Sequence, residues 1–220
     1  MKYLNYSKKA FDMKIFLKIG VILAAVTVFS GCATIYYSKD AYTLAKRDKN
    51  IAILPPVVSI AATKKVDAEA LREQQKTESV NFQQEMYSWF LKRKMQNAFD
   101  VEIQDVATTN ARLNKSVEYQ DGTLAPDQIC TLLDVDAVIT SNFALSKPMS
   151  EGGAIALGLL VGIWGNTNQT VATLELHDRQ TKKLFWSYHH NISGSVGSTP
   201  AQLVDNLLRR ASKKSPYWSK

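Results

Sequence analysis

From Val66 to Ala98 the chain contains neither glycine nor proline. No other feature limits the fold as strongly, because a run of this length dominated by Ala, Glu, Gln, Leu, Lys, Arg and Met favours helix. Its first half is almost wholly polar, through Glu69, Arg72, Glu73, Gln74, Gln75, Lys76 and Glu78. In the second half Val80, Gln84, Tyr87, Leu91, Met95 and Ala98 recur at steps of three and four, the spacing of one helix face. Phe82, Met86, Trp89 and Phe90 widen the apolar surface beyond that stripe. The pattern predicts a helix whose second half covers a sheet. Its polar first half either projects beyond the core or is set off by a break near Thr77.

The sheet is sought on both sides of this helix. Ile51 to Leu54 is short and branched and reads as a central strand, ended by Pro55 and Pro56 because proline has no ladder donor. Val57 to Ile60 continues apolar as an edge or loop. Asp100 to Val106 alternates and reads as a short strand after a helix ending near Phe99. Residues 107–122 are a polar connection closing on the turn signal Asp121-Gly122. Pro126 opens a short helix to Leu133, and a strand follows from Val135 to Leu145. Gln169–Asp178 and Leu184–Ile192 form a hairpin about Arg179–Lys183. Thr199 caps a last helix with Pro200 at its first position and Leu203, Val204, Leu207, Leu208 and Ala211 on one face. This order predicts an α/β (α+β) fold: a mixed sheet of about five strands with helices packed on it, its first three strands suited to right-handed crossovers.

The residues ahead of this domain read differently. Lys14 and Lys18 precede Ile19–Phe29, a stretch without charge, and the small residues Ser30 and Gly31 lead directly into Cys32. Eleven residues fall short of the roughly 20 that a spanning helix needs, and fit the apolar core of a secretory signal peptide. Ser30, Gly31 and Cys32 match the last three positions of the lipobox of bacterial lipoproteins, while Phe29 stands where that motif usually has Leu or another aliphatic residue. The resemblance implies that lipid is attached to the Cys32 thiol, that the peptide is cleaved before it, and that the new amino group is acylated. Ala33 follows, not aspartate. By the Gram-negative sorting rule that goes with the motif, this implies a lipid-anchored protein on the periplasmic side of the outer membrane. Translation begins at Met1 or at Met13.

The expected organisation is a lipoprotein signal peptide over 1–31, a membrane-proximal tether over 32–49 that partly packs on the domain, and a single periplasmic α/β domain over 50–220. Tyr36 and Tyr37 in the tether suit either the headgroup level or packing on the domain. Five lysines and one aspartate of residues 1–31 account for +4 of the formal net charge of +7. The basicity is therefore mostly targeting charge, no basic block points to nucleic acid, and none is expected as a partner.

Three further stretches carry a family likeness: Ile51-Ala-Ile-Leu-Pro-Pro56, Leu132-Leu-Asp-Val-Asp-Ala-Val-Ile139, and Leu174-Glu-Leu-His-Asp178 with Leu184-Phe-Trp186. Their layout over residues 50–215 resembles the periplasmic α/β domain shared by the curli secretion lipoprotein family, the amino-terminal domain of the Tol translocation protein and a group of small envelope lipoproteins. The resemblance implies a non-catalytic domain that assembles with itself or holds other envelope proteins, in secretion or envelope biogenesis. Gly152–Gly165 departs from the long amphipathic hairpins that form the curli pore, which weakens a pore assignment.

That departing segment is the oddest part of the mature chain. Glu151 is the last charge before Glu175. Ile155, Leu157, Leu159, Leu160, Val161, Ile163 and Trp164 fall within ten positions, interrupted by glycines whose spacing gives no phosphate loop. A short helix covering one end of the sheet would bury them. A contact with another subunit or with the lipid surface would also do so, and such a contact surface is the reading adopted, since so large an apolar cluster is costly to leave in water.

Catalytic chemistry has little to work with. With Cys32 acylated, Cys130 is alone, in an apparent short helix where it is expected to be buried and inert. His189 and His190 are adjacent in a strand and point to opposite faces, leaving His177 with one of them as a pair too small for a zinc site. No cofactor, metal or enzymatic activity is expected. Two alternatives stay open: a carrier of a small hydrophobic ligand, and a metal-dependent envelope enzyme using His177 and His189.

Overall fold

Along the central strands, alternate residues are apolar on both faces, so helices are needed on both sides. The computed structural model describes residues 33–61, 67–146, 168–194 and 199–218. Their elements are β1 (Thr34–Tyr37), α1 (Ala41–Arg47), β2 (Asn50–Ile53), β3 (Val57–Ile60), α2 (Ala68–Lys94), β4 (Glu102–Ile103), α3 (Val106–Asn114), α4 (Val117–Gln120), α5 (Pro126–Leu133), β5 (Ala137–Leu145), β6 (Asn168–Asp178), β7 (Leu184–Gly194) and α6 (Pro200–Ala211). The strands form one sheet in the order β1-β7-β6-β5-β2-β4, with β3 also paired to β5. β2 is parallel to β4 and β5, and β3 is parallel to β5. β5, β6, β7 and β1 pair antiparallel in turn. This is the mixed α/β sheet with packed helices that the residue pattern predicts, and among the described residues it has seven strands.

The two additional strands have distinct origins. β1 comes from the stretch read as a tether, pairing Thr34 with His189 and Tyr37 with Trp186, and α1 follows it with Ala41, Leu44 and Ala45 buried. Tyr37 stacks on Tyr42 and donates its hydroxyl to the Lys214 carbonyl, whereas Tyr36 is exposed. β3 continues the line of β2 after a bulge. Ile53 stands opposite Ile139 and Val57 opposite Asn142, so Leu54, Pro55 and Pro56 face only Thr140 and Ser141. One extra residue switches the parity of the strand. Ile51 and Ile53 before the bulge, and Val58 and Ile60 after it, therefore enter the same core.

That core lies between the sheet and the pair α2 and α6. Ala137, Ile139, Phe143 and Leu145 of β5 meet Phe82 and Met86 of α2 and Leu207 and Leu208 of α6 there. Phe82 and Phe143 are fully buried and stack with ring centroids 4.3 Å apart and planes 6° from parallel. On the opposite face Val138, Ala52 and Leu54 pack with Leu113, Ile129, Cys130 and Leu133 of α3 and α5.

α2 is a single helix that runs through Thr77. The Asp67 carboxylate caps it, accepting from the Glu69 and Ala70 N–H groups at 2.9 and 2.8 Å. Its buried face is Gln74, Glu78, Phe82, Met86 and Phe90, at steps of four, flanked by Gln83 and Trp89. The stripe read from Val80 is therefore out of phase: Val80, Gln84, Leu91 and Met95 are exposed. Polar residues hold the inner phase. Gln74 donates to Glu78 at 2.9 Å, and Gln83 donates to the Ile53 carbonyl at 2.8 Å while exchanging two hydrogen bonds with Asn110. A further correction concerns residues 107–122, which hold α3 and α4 rather than only a connection. Asp105 caps α3 through the Ala107 and Thr108 N–H groups at 2.8 and 3.1 Å. α6 begins as expected, with Thr199 and Gln202 forming a reciprocal cap and Pro200 next to it.

Candidate functional site

Two consecutive prolines cannot donate to a ladder, and the bulge they occupy leaves room beside the sheet. α2, α3 and α4 bound this room as an open groove of about 560 Å³. Pro55, Val80 and the Tyr119 ring give it apolar surface over the buried Pro56, Val58 and Leu113. Arg72 and Lys76 enter from α2 one turn apart, and Gln75, Asn110 and Asn114 supply neutral amides. Among the described residues no carboxylate, histidine or cysteine lines it. Hydrogen-bond donors, two cations and apolar area make it a surface for binding, without a nucleophile and base in reach of each other.

The sheet edge along this groove is filled in order. The Ile51 carbonyl accepts from the Gln104 N–H at 2.8 Å, that of Ile53 from the Gln83 amide at 2.8 Å, and that of Pro56 from the Ser79 hydroxyl at 2.6 Å. On the inner side the Ala61 N–H reaches the Leu145 carbonyl at 2.9 Å. By the alternation of a parallel ladder, Val58 and Ile60 then turn their N–H and C=O groups outward. Among the described residues no strand pairs with β3 on that side.

The residues singled out in the sequence are distributed otherwise. Cys32, with Phe29, Ser30 and Gly31 before it, lies outside the described residues, and so do Ile155, Leu157, Leu159, Leu160, Val161, Ile163 and Trp164. The two histidines do not meet. His177 stands opposite Leu184 and His189 opposite Thr173, four residues apart along β6, or roughly 13 Å at strand rise. The alternative of an enzyme whose metal is held by His177 and His189 is corrected on this ground. His189 contacts the Thr173 hydroxyl at 2.9 Å and His177 the Glu175 carboxylate at 3.3 Å. His190 faces the core, and burial, then Arg210 and His189, lower its pKa. Among the described residues no group of three or more His, Cys, Asp or Glu is placed to hold a metal ion. Cys130 is fully buried, and burial first, with Asp178 and Asp127 behind it, pushes its thiol up to about 12, which keeps it in the unreactive thiol form. An enclosed core cavity between Met86, Leu174, Trp186 and Leu208 measures about 20 Å³, against the roughly 300–1,000 Å³ of a ligand site.

A second polar constellation sits where α1 ends, β2 and β5 begin and β6 finishes. Arg47 pairs with Asp178 and lies 3.5 Å from Asp48. The Tyr217 hydroxyl donates to Asp48 at 2.5 Å, and Asp136 accepts from the Lys49 and Asn50 N–H groups at 2.7 and 3.1 Å. Asp178 also holds the hairpin turn, accepting from the Thr181 N–H and hydroxyl at 2.6 and 2.7 Å. The Arg47–Asp178, Tyr217–Asp48 and Lys49–Asp136 contacts join segments far apart in the chain, so the cluster is structural.

The sequence reading did not find the groove. The signal available to it was the change from odd-numbered Ile51 and Ile53 to even-numbered Val58 and Ile60 across a proline pair, which marks a bulge.

No protein-family model matches the sequence, and no curated protein does. Similar chain courses occur in solved structures. The lipoprotein GNA1162 from Neisseria meningitidis is 13% identical, with 76% of this chain and 96% of that one covered at a TM-score of 0.41. The PelC dodecamer from Paraburkholderia phytofirmans is 12% identical, with 86% and 99% covered at 0.38. The LpoB C-terminal domain from Salmonella enterica is 11% identical, with 70% and 96% covered at 0.32. Likeness at this level assigns neither family nor role.

Proposed function

We propose that the protein is a lipid-anchored, non-catalytic component of the cell envelope, facing the periplasm from the outer membrane, that acts by holding envelope proteins or copies of itself. One observation carries the reading: the lipobox-like Ser30-Gly31-Cys32 runs into the sheet with Ala33 as the sole residue between Cys32 and β1. At about 3.3–3.6 Å per residue, acyl chains on Cys32 would leave the chain within roughly 7 Å of Thr34. An anchor so short holds the domain against the bilayer. Mass spectrometry of the mature amino terminus is expected to show diacyl- or triacyl-cysteine at Cys32. A soluble product cleaved elsewhere, or an uncleaved chain, would remove the reading.

The uncharged segment belongs to the same reading as a contact surface. β5 leaves the sheet after Leu145 and β6 enters at Asn168, and the register Leu145–Thr170, Asn168–Gly194 and Thr34–His189 puts both points at the end where β1 begins. The segment therefore departs from and returns to the anchored end, which favours membrane contact over self-association. Leu159→Ser with Val161→Ser, in a chain starting at Ala33, is expected to leave a folded monomer whose liposome binding falls at least severalfold. Light scattering that shows an oligomeric parent and a smaller variant would assign the segment to self-association. A monomeric parent that ignores liposomes, with a variant that unfolds, would make it core.

A further inference from the structure

We propose that the groove beside β3 docks an extended acidic segment of a partner protein, which adds to the sheet edge at Val58 and Ile60 and sets two carboxylates against Arg72 and Lys76. This goes beyond the anchoring role and does not depend on it.

Three observations converge on that occupant. The first is the edge itself. The carbonyls of Ile51, Ile53 and Pro56 are met by Gln104, Gln83 and Ser79, and among the described residues no strand follows on at Val58, which lines the groove, or at Ile60. An unpaired stretch of strand bordering a groove is what an added strand uses, its main chain giving affinity and its alternate side chains giving specificity. Left open, it is also the kind of edge that proteins normally cover or charge.

The second is charge. Among the described residues the groove lining holds two cations and no acid. Lys76 pairs with Glu73 at 2.8 Å, but both side chains are largely exposed, so the pair is weak and can be exchanged. Among the described residues Arg72 has no ion pair.

The third is spacing. Residues four apart on a helix are about 6 Å apart along its axis, and alternate residues of a strand about 6.6–6.8 Å apart on one face. A strand with acids at every second position thus presents carboxylates at the interval of Arg72 and Lys76. Pro55 and the Tyr119 ring, both half-buried, offer apolar surface for the other side chains.

The probe is a capped fluorescent peptide, TVEVEVT, titrated by anisotropy with the full chain in neutral detergent micelles. Saturable binding is expected, at least tenfold weaker in Arg72→Glu with Lys76→Glu, both exposed positions whose change should leave the melting temperature in place. The lysine counterpart TVKVKVT is expected not to bind. N-methylation of the peptide separates strand addition from simple charge attraction. Methylating the three valines or the two glutamates blocks one edge or the other, and one pattern should abolish binding while the other is tolerated. Hydrogen exchange read by mass spectrometry should slow at residues 57–61 when the peptide is present. Equal binding of both peptides, indifference to the double variant, equal tolerance of both methylation patterns, or slowed exchange at β1 instead would each overturn the proposal. Displacement of the peptide by phosphatidylglycerol at micromolar bulk concentration would also overturn it, in favour of a lipid headgroup.

Discussion

Replacing Phe82 with alanine is expected to cost about 3–5 kcal/mol of stability, while replacing Met95 costs less than about 0.5 kcal/mol. Phe82 is fully buried and stacked on Phe143 of β5 at 4.3 Å. Removing its ring deletes the stack and opens a cavity walled by sheet on one side and helix on the other, where neither can collapse freely. Met95 caps the C-terminal end of α2 and is 86% exposed. For a domain of this size each kcal/mol moves the melting temperature by roughly 2–4 °C, so Phe82→Ala should melt roughly 6–20 °C below the parent and Met95→Ala beside it. Urea unfolding of the two variants checks this directly. A costly Met95→Ala and a harmless Phe82→Ala would mean that α2 presents the stripe containing Val80, Leu91 and Met95 to the sheet.

That comparison also marks where the sequence could be read and where it misled. The strands β2, β4, β5, β6 and β7 and the helices α2, α5 and α6 follow from local signals, because each carries its own punctuation: the proline pair after Leu54, Pro126 and Pro200 at helix starts, the Arg179–Lys183 turn. The inner face of α2 was hidden because its register positions 74, 78 and 83 are polar. Hydropathy assigns Gln74, Glu78 and Gln83 to solvent, whereas the fold buries them and gives Gln83 partners on both Ile53 and Asn110. A periodicity count cannot anticipate partners that come from 27 or more residues away. β1 and α1 were hidden for a related reason. An edge strand of four residues, Thr-Ile-Tyr-Tyr, is too short to show a period, and its pairing with β7 is set by residues at the far end of the chain.

The groove was the least legible part. Its residues come from β3, α2, α3 and α4, and none carries a motif. Only the bulge left a trace in sequence, as a parity change across Pro55 and Pro56. The two features that the sequence marks most plainly, Cys32 after its apolar run and the uncharged segment before β6, lie outside the described residues.

Relative to Asp48→Asn, the parent is expected to gain stability as the pH falls from 7.5 to 5. The Asp48 carboxylate is buried at the end of α1, and its pKa is raised to about 6. Burial is the main cause, reinforced by the nearby charges of Asp178 and Asp136, while the Tyr217 hydroxyl and Arg47 pull the other way. An unfolded aspartate titrates near 3.9. Since the folded value is the higher one, the folded state holds the proton more tightly. The resulting stabilisation is complete below about pH 3.9 and is lost as the pH rises through about 6. Between pH 7.5 and 5 it should amount to roughly 1 kcal/mol. Asparagine keeps an oxygen for the Tyr217 hydroxyl, 2.5 Å away in the parent, and carries no charge. The variant should match or exceed the parent at pH 7.5 and lose its advantage at pH 5. Tyr217→Phe gives the opposite pattern, because it removes the donor that the ionised carboxylate needs most, so its cost should be larger at pH 7.5 than at pH 5. Denaturant midpoints of the three proteins at both pH values decide the matter. An Asp48→Asn protein that is less stable than the parent at pH 7.5 and keeps the parent's pH slope would show that the charge on Asp48 is well compensated in the fold and that the slope arises elsewhere.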